Sequence, residues 1–202
     1  MLITVDKYFG LALCNAIRQA ALTKIECVRP IAFRVGYGST VIYTSDSVEE
    51  DMTEFIAGVS GGIFASNDYE TKIYRSVVQA DGVLKLSGIT NGTDRVVLVS
   101  DDEEVLHTLA PEQVTVYFRL GHGCYSVAEN RGFLAAHGED PDKYTVVSSR
   151  HSNVTVCTYQ VVAEEGEQLS VEFSVQTADG SSEEEVLSAA MADVARASAE
   201  LK

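Results

Sequence analysis

The sequence predicts an α+β fold in which one unit is built from both ends of the chain and a β-rich middle is inserted between them. Three observations carry this expectation. An alanine-rich helical pattern lies near the start, an amphipathic helical pattern closes the chain, and the residues between them form short apolar runs separated by turn-formers.

The opening run Leu2 to Val5 is short and β-prone, and Phe9, Leu13, Ala16, Ile17 and Ala20 follow it at helical spacing. Ala12, Ala16, Ala20 and Ala21 keep that helix thin, so another helix or sheet can approach its axis closely. From Val28 the pattern turns to β, with Ile31 to Val35, a turn at Gly36-Tyr37-Gly38 and Val41 to Tyr43 predicting a hairpin. Ser47 is the expected cap of a short helix. Glu49, Glu50 and Asp51 suit its positive end, Met52, Phe55, Ile56 and Val59 supply its apolar face, and Gly61-Gly62 ends it.

The middle reads as a mostly antiparallel sheet. Its runs are Ile73 to Val78, Val83 to Leu86, Val96 to Val99 and Val114 to Arg119, with turns at Asp81-Gly82 and Asn91-Gly92. The acidic run Asp101 to Glu104 lacks the ligand spacing of a calcium loop and reads as a solvated turn. After a glycine-flanked stretch, Gly121 to Gly132, and a polar loop, two long strands are expected: Thr145 to Val161 with an interruption, and Leu169 to Thr177. Asp179-Gly180 closes the second. Ser182 and Glu185 form a capping box ahead of a helix on which Leu187, Met191, Val194 and Leu201 share a face.

Apolar residues make up 46% of the 202 and charged ones 22%, the balance of a folding globular chain. Thirty acidic residues against fifteen basic ones give a formal charge of -15, which repels phosphate backbones and anionic membranes and leaves proteins as the natural partners. No apolar run is long enough to span a bilayer and no signal-peptide pattern opens the chain, so a cytoplasmic location is expected. The sequons at Asn91 and Asn153 are then chance matches. Cys14, Cys27, Cys124 and Cys157 form no C-x-x-C pair and read as buried free thiols. His107, His137 and His151 lack paired ligand spacing, so no metal and no cofactor is expected. Cys124 beside His122 invites a thiol-nucleophile reading, but neighbours on a strand point apart, and a glycine-shaped turn is the better one.

Several motifs bear a resemblance in order along the chain. Leu13-Cys14-Asn15-Ala16-Ile17-Arg18-Gln19 resembles the L-G-N-A-L-R-R helix of the bacterial RNA polymerase alpha subunit. Val28 to Val35, Val41 to Thr44 and Val48 to Glu54 follow at that family's spacing, the last similar to its V-x-E-D-[IV]-x-E. Gly121 to Glu129 resembles its G-x-G-Y-x-x-A-E with one residue inserted before the tyrosine. His151-Ser152-Asn153-Val154 stands where the family has an aromatic-S-P-V turn, and Thr177 to Ser181 with Glu184, Glu185 and Leu187 is similar to its T-[DN]-G-[ST] and E-E-A-L.

The resemblance, to the amino-terminal assembly domain, implies a discontinuous dimerisation domain, a sheet with two helices at about 1-26 and 153-202, interrupted by a β-rich inserted domain at about 27-152. It implies a non-catalytic platform, a homodimer or a heterodimer with a second alpha-like chain, that holds the β-type and β′-type large subunits. The implied dimer interface comprises Phe9, Leu13, Ile17 and Ala20 with Leu187, Met191, Val194 and Leu201. The implied large-subunit contacts are Asn15, Arg18, Gln19 and Leu22, then Gly121, Gly123 and Tyr125, then Ser152 and Val154. A self-complementary two-fold interface would cover the apolar surface that so small a unit leaves open.

The chain departs from the family in several places. Gln19 replaces the second of a paired arginine and removes its charge and fork. A strand ahead of Leu2 is lacking, the loop Ala163 to Gln168 is short, Asn153 replaces a proline, and the family's carboxy-terminal DNA-binding domain is expected to be absent. Such trimming suits a virus-encoded or organellar homologue. The alternatives are an alpha-like decoy that diverts polymerase assembly and a small hydrolase using Cys124.

Overall fold

The computed structural model describes residues 1–36, 46–68 and 70–200, and the chain divides into two compact units, Met1–Glu26 with Ser152–Lys202, and Cys27–His151. In chain order the elements begin with β1 (Leu2–Asp6), α1 (Gly10–Thr23), β2 (Cys27–Val35), α2 (Met52–Gly61), β3 (Phe64–Ser66) and β4 (Ile73–Ala80). Next come β5 (Val83–Lys85), α3 (Leu86–Thr90), β6 (Val96–Leu98), β7 (Glu104–His107), β8 (Glu112–Gly121), β9 (Gly123–Tyr125) and α4 (Val127–Ala136). A 3₁₀ turn at Pro141–Lys143, β10 (Thr145–Val146), β11 (Ser149–His151), β12 (Val154–Glu165), β13 (Gln168–Thr177) and α5 (Glu183–Glu200) complete it. The fold is mixed α+β with antiparallel sheets.

The terminal unit is a three-stranded sheet, β1-β13-β12, with α1 and α5 on one face. Alternation sets that face: Val5, Leu169, Val171, Phe173 and Cys157 turn inward, while Thr4, Glu172 and Gln160 turn outward. Asp6 accepts hydrogen bonds from the backbone N–H of Tyr8 and Phe9, which turns the chain out of β1 and into the helix. Gly10 follows because nothing larger fits; a Cβ there would sit 2.3 Å from Cγ2 of Val5. Cys14, Ile17, Ala20 and Ala21 then bury the narrow side of α1. The Ser182–Glu185 capping box starts α5, which buries Val186, Leu187 and Ala190.

The central unit is a six-stranded sheet, β4-β8-β2-β3-β6 with β10 alongside β2. One face packs Phe33, Phe64 and Phe118 against α2, where Phe55 meets Phe33 edge to face at 5.9 Å. The other carries Ile31, Ala32, Tyr117, Leu134 and Tyr144.

Several local expectations are corrected. Ser47 does not cap α2; its carbonyl accepts from Leu109 N–H while Asp51 makes the cap and forms a capping box with Glu54. Asn91-Gly92 does form a turn, directly after the short helix α3, which the sequence pattern does not predict. The acidic run is exposed at Asp101 to Glu103, but Glu104 already belongs to β7. The glycine-flanked stretch Gly121 to Gly132, for which the sequence pattern predicts no element, holds β9 and the start of α4. Of the hairpin expected at Ile31 to Tyr43, β2 forms the first strand, and residues 37–45, with the Val41 to Thr44 match, lie outside the described residues.

Candidate docking surfaces

The terminal unit leaves an apolar strip uncovered. Tyr8 and Phe9, just ahead of α1, are 73% and 78% exposed, and exposed Leu13 follows Phe9 one helical turn on, with Leu11 exposed on a different side of the helix. Beside it runs a groove of about 360 Å³, walled by Ile3, Val5 and Leu13 on one side and Met191, Val194 and Ala195 on the other, with Ile17 on its floor.

The implied dimer residues fall into three groups. Phe9 and Leu13 are exposed, and Met191 and Val194 are half-buried along the groove. Ile17, Ala20 and Leu187 are buried in the unit's own core, Ile17 also lining the groove. Leu201 lies outside the described residues.

The implied large-subunit residues divide in the same way. Asn15 and Gln19 are exposed on α1. Arg18 is half-buried, and its Nε–H donates to the carbonyl of Cys157 at 3.0 Å, so it is neither a free surface charge nor a fully open anchor. Leu22 packs partly against the core, its carbonyl accepting from the Ser152 hydroxyl at 3.1 Å. Val154 is a core residue, 3% exposed. Ser152 and Val154 therefore act within the unit, one tying the end of α1 to the start of β12 and the other filling the core.

In the central unit, Gly121, Gly123 and Tyr125 form a tight corner between β8 and α4. Gly123 has φ +73°, and a Cβ on Gly121 would meet the Tyr125 ring at 2.9 Å, so both glycines are required for the tyrosine to fold back. Tyr125 lies over Arg119, whose guanidinium carbon is 3.4 Å from that ring's centroid and 4.1 Å from that of Phe133. Burial pushes the guanidinium down from its ordinary pKa.

A polar chain leads from this stack. Arg119 donates to Asn130 Oδ1 at 3.0 Å, and the fully buried Asn130 donates from Nδ2 to the Val147 carbonyl and to Ser149 Oγ. His151 Nδ1–H donates to the Cys27 carbonyl at 3.0 Å, and its Nε2 lies 2.9 Å from Ser149 Oγ, so a neutral ring with its proton on Nδ1 accepts from the Ser149 hydroxyl. Burial pulls its pKa down to about 4, with Arg119, Arg29 and His122 adding to the shift against the Cys27 carbonyl.

Cys124 is exposed, which corrects the expectation that every thiol is buried. It pairs across the β9–β11 ribbon with Arg150, on the side opposite Tyr125 and His151. His151 has both ring nitrogens engaged elsewhere, so this geometry assembles no Cys124–His151 nucleophile pair.

A separate clasp joins β7 to the segment ahead of α2. Glu50 accepts from the backbone N–H of His107 at 2.6 Å and pairs with its ring. The hydrogen bond its ring donates to Glu50 raises the His107 pKa, against partial desolvation, and the charges of Glu50, Glu49 and Glu104 add to the rise. Among the described residues no group of three or more potential ligands is placed to hold a metal ion, and no helix is long and apolar enough to cross a membrane.

Arg119, Asn130, Phe133 and Ser149 were not anticipated. One signal was available: Ser126 and Glu129 stand three apart and form a capping box that starts α4. No protein-family model matches this chain, and no characterised protein matches its sequence.

Proposed function

We propose that the chain is a non-catalytic, alpha-like subunit of a multisubunit DNA-directed RNA polymerase, acting in the cytoplasm. It dimerises and so forms the platform on which β-type and β′-type large subunits assemble. The observation that carries this reading is the exposed Tyr8, Phe9 and Leu13, with Leu13 also lining the groove that Met191 and Val194 line. Knob and groove lie on the same unit, so a two-fold axis lets each copy offer both to the other. The ordered motif resemblance along the chain supplies the identity of the assembly.

The docking side of the platform rests on Asn15, Gln19 and Arg18 in one unit and on the β9–α4 corner in the other. Reconstitution with candidate β-type and β′-type subunits tests it: a platform supports RNA synthesis. Arg18→Ala is expected to abolish large-subunit co-purification while the dimer persists; unchanged co-purification removes Arg18 from the docking surface. A second reading, an alpha-like decoy that diverts assembly, is favoured by Gln19, where the family's second arginine is replaced. A decoy blocks RNA synthesis in the same reconstitution.

A further inference from the structure

The corner between β8 and α4 is organised around Arg119, a residue outside the motifs that suggest docking. Its guanidinium carbon lies close to the rings of both Tyr125 of β9 and Phe133 of α4, and the group donates to Asn130. Three elements, β8, β9 and α4, therefore meet at one side chain. Asn130 extends the hold to Val147 and Ser149 on the stretch leading into β11, and Ser149 extends it to His151, whose ring meets Tyr125 edge to face at 5.1 Å.

The outward side of the same corner is open. Cys124 and Arg150 lie opposite one another on the ribbon, and Val127, 42% exposed, begins α4. Arg150 pairs with no carboxylate among the described residues, in a chain of net charge -15 where Lys7, Lys85, Arg95, Arg131, Lys143 and Arg196 all do.

We infer that Arg119 is the positioning residue of this corner, fixing the one conformation in which β9 and the start of α4 present Val127 and Arg150 to an apolar, carboxylate-bearing segment of a large subunit. This rests on the docking role proposed above for Gly121, Gly123 and Tyr125. Arginine suits the place because a planar, delocalised cation can contact two rings and still donate from its edge, whereas an ammonium is a compact point charge that can meet a ring or donate but cannot lie flat against one. The ring contacts and Asn130 act together, so losing the guanidinium frees β9, α4 and β11 at once.

The test is hydrogen exchange of the backbone amides of residues 122–131 in the full chain, for wild type, Arg119→Lys and Arg119→Met, alongside capture of the β-type subunit. Exchange in this stretch is expected to rise about tenfold or more in Arg119→Met and by less in Arg119→Lys, with α2 unchanged. Capture should weaken in step while self-association, carried by the other unit, stays as it was. If Arg119→Met does not fold, Phe133→Leu removes one face of the stack and is expected to act in the same direction. Unchanged exchange at the corner overturns the inference, and so does raised exchange with undiminished capture. A wild-type chain that captures no β-type subunit overturns the docking part of the inference together with the proposed function, and exchange then decides only whether Arg119 holds the corner.

Discussion

At the scale of single residues, burial decides the chemistry of the thiols and imidazoles. Cys14, Cys27 and Cys157 are buried, and desolvation raises the pKa of Cys14 and Cys157, whereas Cys124 faces solvent. A thiol-specific chromogenic reagent is therefore expected to titrate one cysteine of four quickly in the native chain and the other three only on unfolding. The exposure of Cys124 was not legible in the sequence, because which side of a two-stranded ribbon faces water depends on what packs beneath it. Here that is Tyr125 and His151.

His151 gives the central unit an acid sensitivity of definite sign. Its folded pKa, about 4, lies below the ordinary value of 6.5, so as pH falls from 6.5 the unfolded chain takes up a proton that the folded one refuses. Its contribution is full above about pH 6.5 and is lost as pH falls toward 4, about 3 kcal/mol in all. Denaturant unfolding across that window should show the slope in the wild type and its loss in His151→Gln, even though the variant starts out less stable. His107 acts in the opposite sense. Its raised pKa gives stability that is present at low pH and lost as pH rises above 6.5, since the proton held by Glu50 then leaves.

At the scale of elements, local chemistry explains what the sequence revealed and what it hid. The helices at the two chain ends follow apolar spacing, and the Ser182–Glu185 box is where its pattern puts it. The same S-x-x-E pattern stands at Ser126 and Glu129, but Gly121, Gly123 and Gly132 surround it, and glycine reads as turn unless tertiary contacts are known. Gly132 lies in open space and costs α4 only propensity; Gly121 and Gly123 are spent on the corner before it. Ser47 fails as a cap for a related reason. Its segment bridges to Thr108 and pairs with the end of β7, which leaves Asp51 to start α2. Ser126→Ala and Ser182→Ala are each expected to cost about 1 kcal/mol in denaturant unfolding. Gly10→Ala should cost more, since its Cβ would collide with Val5 in a core with no slack.

At the scale of the whole molecule, the chain leaves its terminal unit at Glu26 and returns to it at Ser152, with the central unit between. The terminal unit buries Cys14, Ile17, Ala20 and Ala21 of α1 and Val186, Leu187 and Ala190 of α5 against one sheet face. Tyr8 and Phe9 lie outside that core and are exposed. Helical spacing groups Leu13, Ile17 and Ala20 on one stripe, but cannot say which of them serve the unit's own core. Packing assigned Ile17 and Ala20 inward and left Leu13 with Phe9 at the surface.

The central claim is that this surface joins two copies, and Phe9 tests it most directly because it is exposed in the single chain and its replacement does not disturb the core. Sedimentation equilibrium at micromolar concentration, on wild type and Phe9→Asp, is the measurement. The expected result is a dimer for the wild type and a folded monomer for the variant. A wild type that stays strictly monomeric, or a dimer that Phe9→Asp leaves intact, would contradict the account.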